Sequence, residues 1–104
     1  MKESIASRVL HCQLAGKSEE VIVRFGIPRQ ENDHFTCEYE ISVAGEGEAY
    51  QIIGCDSVHA LQLAMFMVGS ALQSIPGASN WSWNDEPHTG FPTSLDQPIV
   101  GLRF

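Results

Sequence analysis

Any chemistry in a chain of 104 residues must come from a few side chains at the right spacing. Cys55-x-x-x-His59 has the i,i+4 spacing that brings two side chains to one helix face. A thiol and an imidazole so placed are a nucleophile with its base, or two ligands for zinc. His11-Cys12 and Asp85-Glu86-Pro87-His88 add further ligand types, and Glu38 and Glu40 share one face of an extended segment. Each set is incomplete. Structural zinc takes four ligands, typically as two tight pairs, and one loose pair is present. Cys55 and His59 are therefore the candidate ligands, while no metal or other cofactor is expected. A cysteine enzyme also requires an orienting group and oxyanion donors, and no pattern supplies them, so no catalytic residue is assigned. Adjacent carboxylates at Asp85 and Glu86 suit a solvated loop. Glu38 and Glu40 point to solvent, with Arg24 on a neighbouring strand as a cross-strand partner worth about 0.2–1 kcal/mol. Gly45-Glu46-Gly47 lacks the following helix and further glycines of a phosphate cradle.

The elements that must position these residues follow from hydrophobic period. Val21-Ile22-Val23-Arg24-Phe25-Gly26-Ile27 and Phe35-Thr36-Cys37-Glu38-Tyr39-Glu40-Ile41-Ser42-Val43 alternate, as strands with one buried and one wet face do. Residues 5–14 are strand-compatible but ambiguous in face, since Val9 and Leu10 compete for the inside. Residues 48–54 supply a fourth strand. Short turn-type connections at Ala15–Ser18, Pro28–Asp33 and Gly45–Gly47 predict an antiparallel meander. The period then changes: Val58, Leu61, Met65, Val68, Leu72 and Ile75 form a helical stripe, capped by Asp56 or Ser57 and stopped at Pro76-Gly77. The fold class is thus α+β, about four antiparallel strands with one long helix packed on one face. Residues 1–56 form the meander, 57–75 the helix and 76–104 a loop-rich segment of a single domain. Trp81 and Trp83 straddle Ser82 as a short strand places them, and Ile99–Phe104 is a further candidate strand.

Composition narrows the function classes. Thirteen acidic and six basic residues give a net charge of −7. With a pI near 4.8, non-specific nucleic-acid binding is excluded as a role, because it needs Lys and Arg. The acid is local: residues 1–29 hold five basic and three acidic side chains, whereas residues 30–102 hold ten acidic and no basic ones. Between Asp56 and Asp85 lie 28 residues without a formal charge. Gln62, Gly69, Ser70, Gln73 and Ser74 interrupt that stretch, so no membrane span is expected. Met1–Leu10 carries Lys2, Glu3 and Arg8 with no long apolar run before Lys17, so no secretory signal is expected. Three widely spaced cysteines suit buried, reduced thiols and a cytoplasmic protein.

One surface stands out. The helix arc opposite the stripe carries His59, Gln62, Gly69, Ser70, Gln73 and Ser74 with Leu63 and Phe66, and no charge. Depleted charge around large apolar residues is the composition of an interface centre, giving Leu63, Phe66, Gln62 and Gln73 as candidate interface residues. The alternative is that the segment bearing Trp81, Trp83 and Phe91 folds back over the arc.

The run Ile53-Gly54-Cys55-Asp56-Ser57-Val58-His59-Ala60-Leu61-Gln62-Leu63-Ala64 resembles the pattern I-G-x-D-S-x-Q-A-L-x-x-A of a family of small bacterial domains of unknown function. Cys37-x-Tyr39-x-Ile41 and Gly90-Phe91-Pro92 resemble that family too, in the right order, and the resemblance implies a match over nearly the whole chain. The pattern's Asp and Gln imply a capping box, in which Gln reaches back to the cap. His59 replaces that Gln, which leaves Asp56 expected to cap alone. The resemblance implies architecture and no activity.

The function expected is therefore a protein-interaction or accessory module, self-associating as a homodimer or neutralising a basic partner, as an immunity protein neutralises a nuclease toxin. The alternative class is a small-ligand or metal-binding domain using the Cys55/His59 end or the Trp-rich tail.

Overall fold

Alternating sequence and short connections produce antiparallel pairing throughout the sheet. The computed structural model describes residues 3–92. The order is β1 (Ala6–Leu14), β2 (Lys17–Phe25), β3 (Arg29–Glu31), β4 (His34–Val43), β5 (Glu46–Gly54), α1 (Ser57–Gln73) and β6 (Ala78–Ser82). The β1–β2 and β4–β5 hairpins turn on Ala15-Gly16 and Ala44-Gly45, with φ of 53° and 79°, then 52° and 87°. Positive φ at both central residues gives the turn the twist that the flanking strands need.

β5 pairs β4 along its whole length, from Phe35↔Gly54 to Val43↔Glu46. The other edge of β4 is shared. β2 takes its C-terminal half, Val21↔Val43 to Phe25↔Tyr39, and β3 its start, Arg29↔Thr36 to Glu31↔His34. β2 and β3 are therefore one strand track broken at Gly26-Ile27-Pro28. Across the sheet the order is β5, β4, β2 with β3, β1, β6. The helix leaves the β5 edge and packs over β4 and β5, and the chain after it reaches the opposite edge as β6.

The core lies between that face and α1. Leu10, Val21, Val23, Cys37, Ala60, Ala64, Val68 and Leu72 are fully buried in it. On the far face Arg24 donates to Glu40 at 2.9 Å, the cross-strand pair expected from the sequence. Burial of Leu10 and exposure of Val9 settle which of the two faces inward.

The structure corrects several expectations. The sheet has six strands, not about four. β3, three residues long, is too short for any period and sits inside the segment read as the Pro28–Asp33 loop. β6, Ala78–Ser82, includes Trp81 and Ser82 of the short strand expected there but starts earlier and leaves out Trp83, and it pairs β1 across a shifted register. The Ile99–Phe104 candidate lies outside the described residues. The β4–β5 turn is Ala44-Gly45, not Gly45–Gly47. The helix stops at Gln73, two residues short of the expected end, where Ser74 caps it by bonding back to Ala71 and Leu72 carbonyls. Val58, placed in the buried stripe by its spacing, is 63% exposed. The helix has rolled towards Ala60 and Ala64, because small side chains let the two backbones approach. Cys55, expected to be buried, is exposed, while Cys12 and Cys37 are buried. Among the described residues no helix is long and apolar enough to cross a membrane.

Candidate functional site

The Cys55/His59 end is built as a helix cap. Asp56 is the N-cap, in extended backbone, and its Oδ1 accepts from His59 N–H at 2.7 Å. Ser57, the other cap candidate, is the first helical residue. His59 reaches back: its Nδ1 accepts from the Cys55 N–H at 2.9 Å. The expectation that Asp56 caps alone is thus corrected. Histidine performs the reciprocal half of a capping box, one residue earlier than the usual Gln or Glu target. That bond needs a neutral imidazole with its proton on Nε2. It joins Cys55 to His59 through the backbone N–H, the geometry of a cap. Among the described residues no group of three or more His, Cys, Asp or Glu side chains is close enough to hold a metal ion.

The segment after β6 is pinned to the end of the core. Trp83 and Glu86 exchange backbone hydrogen bonds around Asn84-Asp85, both with positive φ, which sets Asp85 and Glu86 in an exposed turn. The chain then returns to Arg8, whose guanidinium lies 3.8 Å from the centre of the Trp83 ring and 4.5 Å from that of Phe91. Arg8 also donates to the Thr89 carbonyl at 3.1 Å. Burial lowers the pKa of this guanidinium from its ordinary value, and two aromatic faces with a carbonyl dipole serve in place of a carboxylate partner. Phe91, buried, meets Phe25 with ring centres 5.9 Å apart.

On the helix arc, Leu63 and Phe66 are half-buried, and Gln62 and Gln73 are exposed. Phe91-Pro92 passes directly over Gly69, which shares the arc with both glutamines. The chain's own C-terminal side therefore covers the edge of that surface at Gly69 and leaves Gln62, Ser70, Gln73 and Ser74 exposed.

A larger opening lies where α1 diverges from the β4–β5 hairpin. Register places Glu46, Glu48, Tyr50 and Ile52 on the helix side of β5, opposite Val43, Ile41, Tyr39 and Cys37. Burial along this row falls from the Cys37 and Gly54 end towards Val43 and Glu46. There lies a groove of about 580 Å³ floored by Leu14, Ile41 and Val43, walled by Ala71 and Ile75, and rimmed by Tyr50, Glu46 and Glu48. Tyr50 donates its hydroxyl to Glu48, and that bond is the first cause of an upward shift in its pKa. Tyr50 also stacks on Tyr39 at 5.4 Å. A second, polar cavity of about 320 Å³ sits at the β2–β3 break, between Arg29, Glu3, Glu31 and Glu38. Its buried Thr36 hydroxyl is satisfied by Glu31 at 3.3 Å, so the cavity leaves that group nothing to recruit.

The model of a domain of unknown function, DUF6968, matches residues 6–93. The chain belongs to this family. No curated protein and no solved structure matches it. In the DUF6968 domain described here, several of the motif residues noted in the sequence are packing positions. A Cβ on Gly54 would lie 2.4 Å from the Ala60 nitrogen, so the strand end and the first helical turn touch backbone to backbone. Cys37, Tyr39 and Ile41 form the inner row of β4. Gly90, at φ 77°, leaves no room for a side chain between Arg8 and Trp83. The groove residues were not singled out in the sequence. The signal was there: once Ala44-Gly45 is the turn, the register forces Glu46 and Glu48 to the same side as Ile52.

Proposed function

We propose that this domain is a protein-interaction module that receives a basic partner at the groove between the C-terminal half of α1 and the β4–β5 hairpin. The observation that carries this reading is an apolar floor left partly uncovered on the core side of the sheet and rimmed by carboxylates. Leu14, Ile41, Val43 and Ile75 are already partly buried, so covering them fully gains a fraction of the about 1.5–3 kcal/mol that burying a wholly exposed large side chain gives. Glu46 and Glu48 then select for sign. From Gln30 to the last described residue the chain contains no Lys or Arg, so nothing nearby in sequence neutralises them. A partner presenting an apolar anchor flanked by Lys or Arg satisfies both requirements.

The test is affinity capture from the native host with the wild type and with the double variant Glu46→Lys/Glu48→Lys. Both positions are exposed, so the melting transition should move by less than about 0.5 kcal/mol. The expected result is a partner held by the wild type, weakened by salt and lost by the variant. An identical set of captured proteins in both arms contradicts the reading.

A further inference from the structure

The strand that rims the groove is also an open edge. β5 pairs β4 on one side, and no other described strand pairs it. In an antiparallel ladder, alternate residues direct their N–H and C=O to opposite sides. Gly26 N–H bonds the Glu38 carbonyl and Ala44 N–H bonds that of Glu20, so the even residues of β4 serve the β2 side. Its odd residues serve β5, where their partners are even-numbered. The polar backbone groups of Gly47, Ala49, Gln51 and Ile53 consequently point away from the sheet.

The two edges of the sheet are unlike. β6 is five residues long, carries Asn80 at φ 53° and pairs β1 across a register shift, which blunts it as an acceptor. β5 is nine residues long and free of proline and of positive φ. Its charges are Glu46 and Glu48 alone, both on the groove side. A second copy would bring another net −7 and the same two carboxylates to this edge. A strand with Lys or Arg at alternate positions instead sets cations beside Glu46 and Glu48, within reach as cross-strand neighbours.

We infer that β5 accepts an extended, basic segment of a partner protein as an added antiparallel or parallel strand, with backbone bonds to Gly47, Ala49, Gln51 and Ile53 and alternate cationic side chains against Glu46 and Glu48. This rests on the interaction-module reading and names the form of the partner. Main-chain pairing supplies affinity, and the carboxylate row supplies selection.

The experiment is a titration of the isotope-labelled full chain with an eight-residue capped peptide alternating Lys and Val, and with its Glu/Val counterpart. Three proteins are compared: wild type, Ala49→Pro and Ile75→Ser. Proline at 49 removes an outward N–H and no bond to β4. The expected result is that the Lys/Val peptide slows exchange of the Gly47, Ala49, Gln51 and Ile53 amides at least about tenfold. Ala49→Pro should weaken it by a similar factor, salt should weaken it several-fold, and the Glu/Val peptide should not bind. Binding that survives Ala49→Pro and is lost in Ile75→Ser overturns strand addition and leaves the groove reading intact. Absence of Lys/Val binding to the wild type overturns the inference. So does a wild-type dimer by sedimentation that Ala49→Pro dissolves, since the occupant is then a second copy.

Discussion

At the scale of single residues, most of the marked side chains turn out to hold the chain together. His59 is the clearest case. Its spacing to Cys55 suggests a nucleophile's base or a zinc ligand, yet Nδ1 closes a capping box on the Cys55 N–H. His59→Ala should cost about 0.5–1 kcal/mol in a urea transition, and His59→Gln, which restores a capping-box acceptor, should recover most of it. Equal loss in both variants would show that the cap does not depend on this acceptor. Cysteine reactivity separates the three thiols. Only Cys55 is exposed, so one thiol per chain should react quickly with a disulfide reagent in the native state and three after unfolding. Burial first, then Glu38, pushes the Cys37 thiol up, and burial with Glu19 does the same for Cys12. The folded chain therefore keeps thiol protons that the unfolded chain releases above about pH 8.5. Stability from this source is complete below that range and is lost as pH rises through it towards the folded values. Urea midpoints should fall between neutral and alkaline pH, and fall less in Cys12→Ala/Cys37→Ala; a midpoint that rises with pH would refute the sign.

At the scale of elements, long periodic segments were legible and short or conformational ones were not. β2, β4 and the helix announce themselves by alternation or by a 3.6-residue period. β3 is hidden because three residues carry no period, whereas β6 was marked only at Trp81-Ser82-Trp83, its pairing being irregular. The helix was placed correctly in sequence but rolled wrongly. Spacing alone weights Val58 and Ala60 by hydrophobicity, whereas backbone contact at Gly54 favours the smaller side chain. Val68 and Leu72 remain the buried centre in both views, and a charge at Val68 should abolish the cooperative thermal transition. A retained cooperative melt in Val68→Asp would contradict the packing of α1 on the sheet. The turns offer the opposite change. Ala15 and Ala44 sit at φ of 53° and 52°, where alanine is strained, so Asn at either position should stabilise the chain by on the order of 1 kcal/mol.

At the scale of the molecule, the global charge of −7 resolves into position. α1 packs chiefly on β4 and β5, yet it leaves the corner at the turn end of that hairpin partly open on the core side. That corner carries Glu46 and Glu48 on the rim of an apolar groove and, beside it, a strand edge with outward backbone groups. The acid excess was legible from composition. Its placement was not, because it depends on a two-residue turn that the glycine at 47 disguises. The uncharged helix arc, which the sequence made prominent, is crossed at Gly69 by the chain itself. Among the described residues β5 is an open edge, and its outward amides should be free to accept a strand. Residue-resolved amide exchange of the free chain tests it most directly. Alternation is expected along β5, with the Glu48, Tyr50 and Ile52 amides protected and those of Gly47, Ala49, Gln51 and Ile53 exchanging roughly tenfold faster or more. Uniform protection of all seven would contradict it, by showing that the edge is already paired.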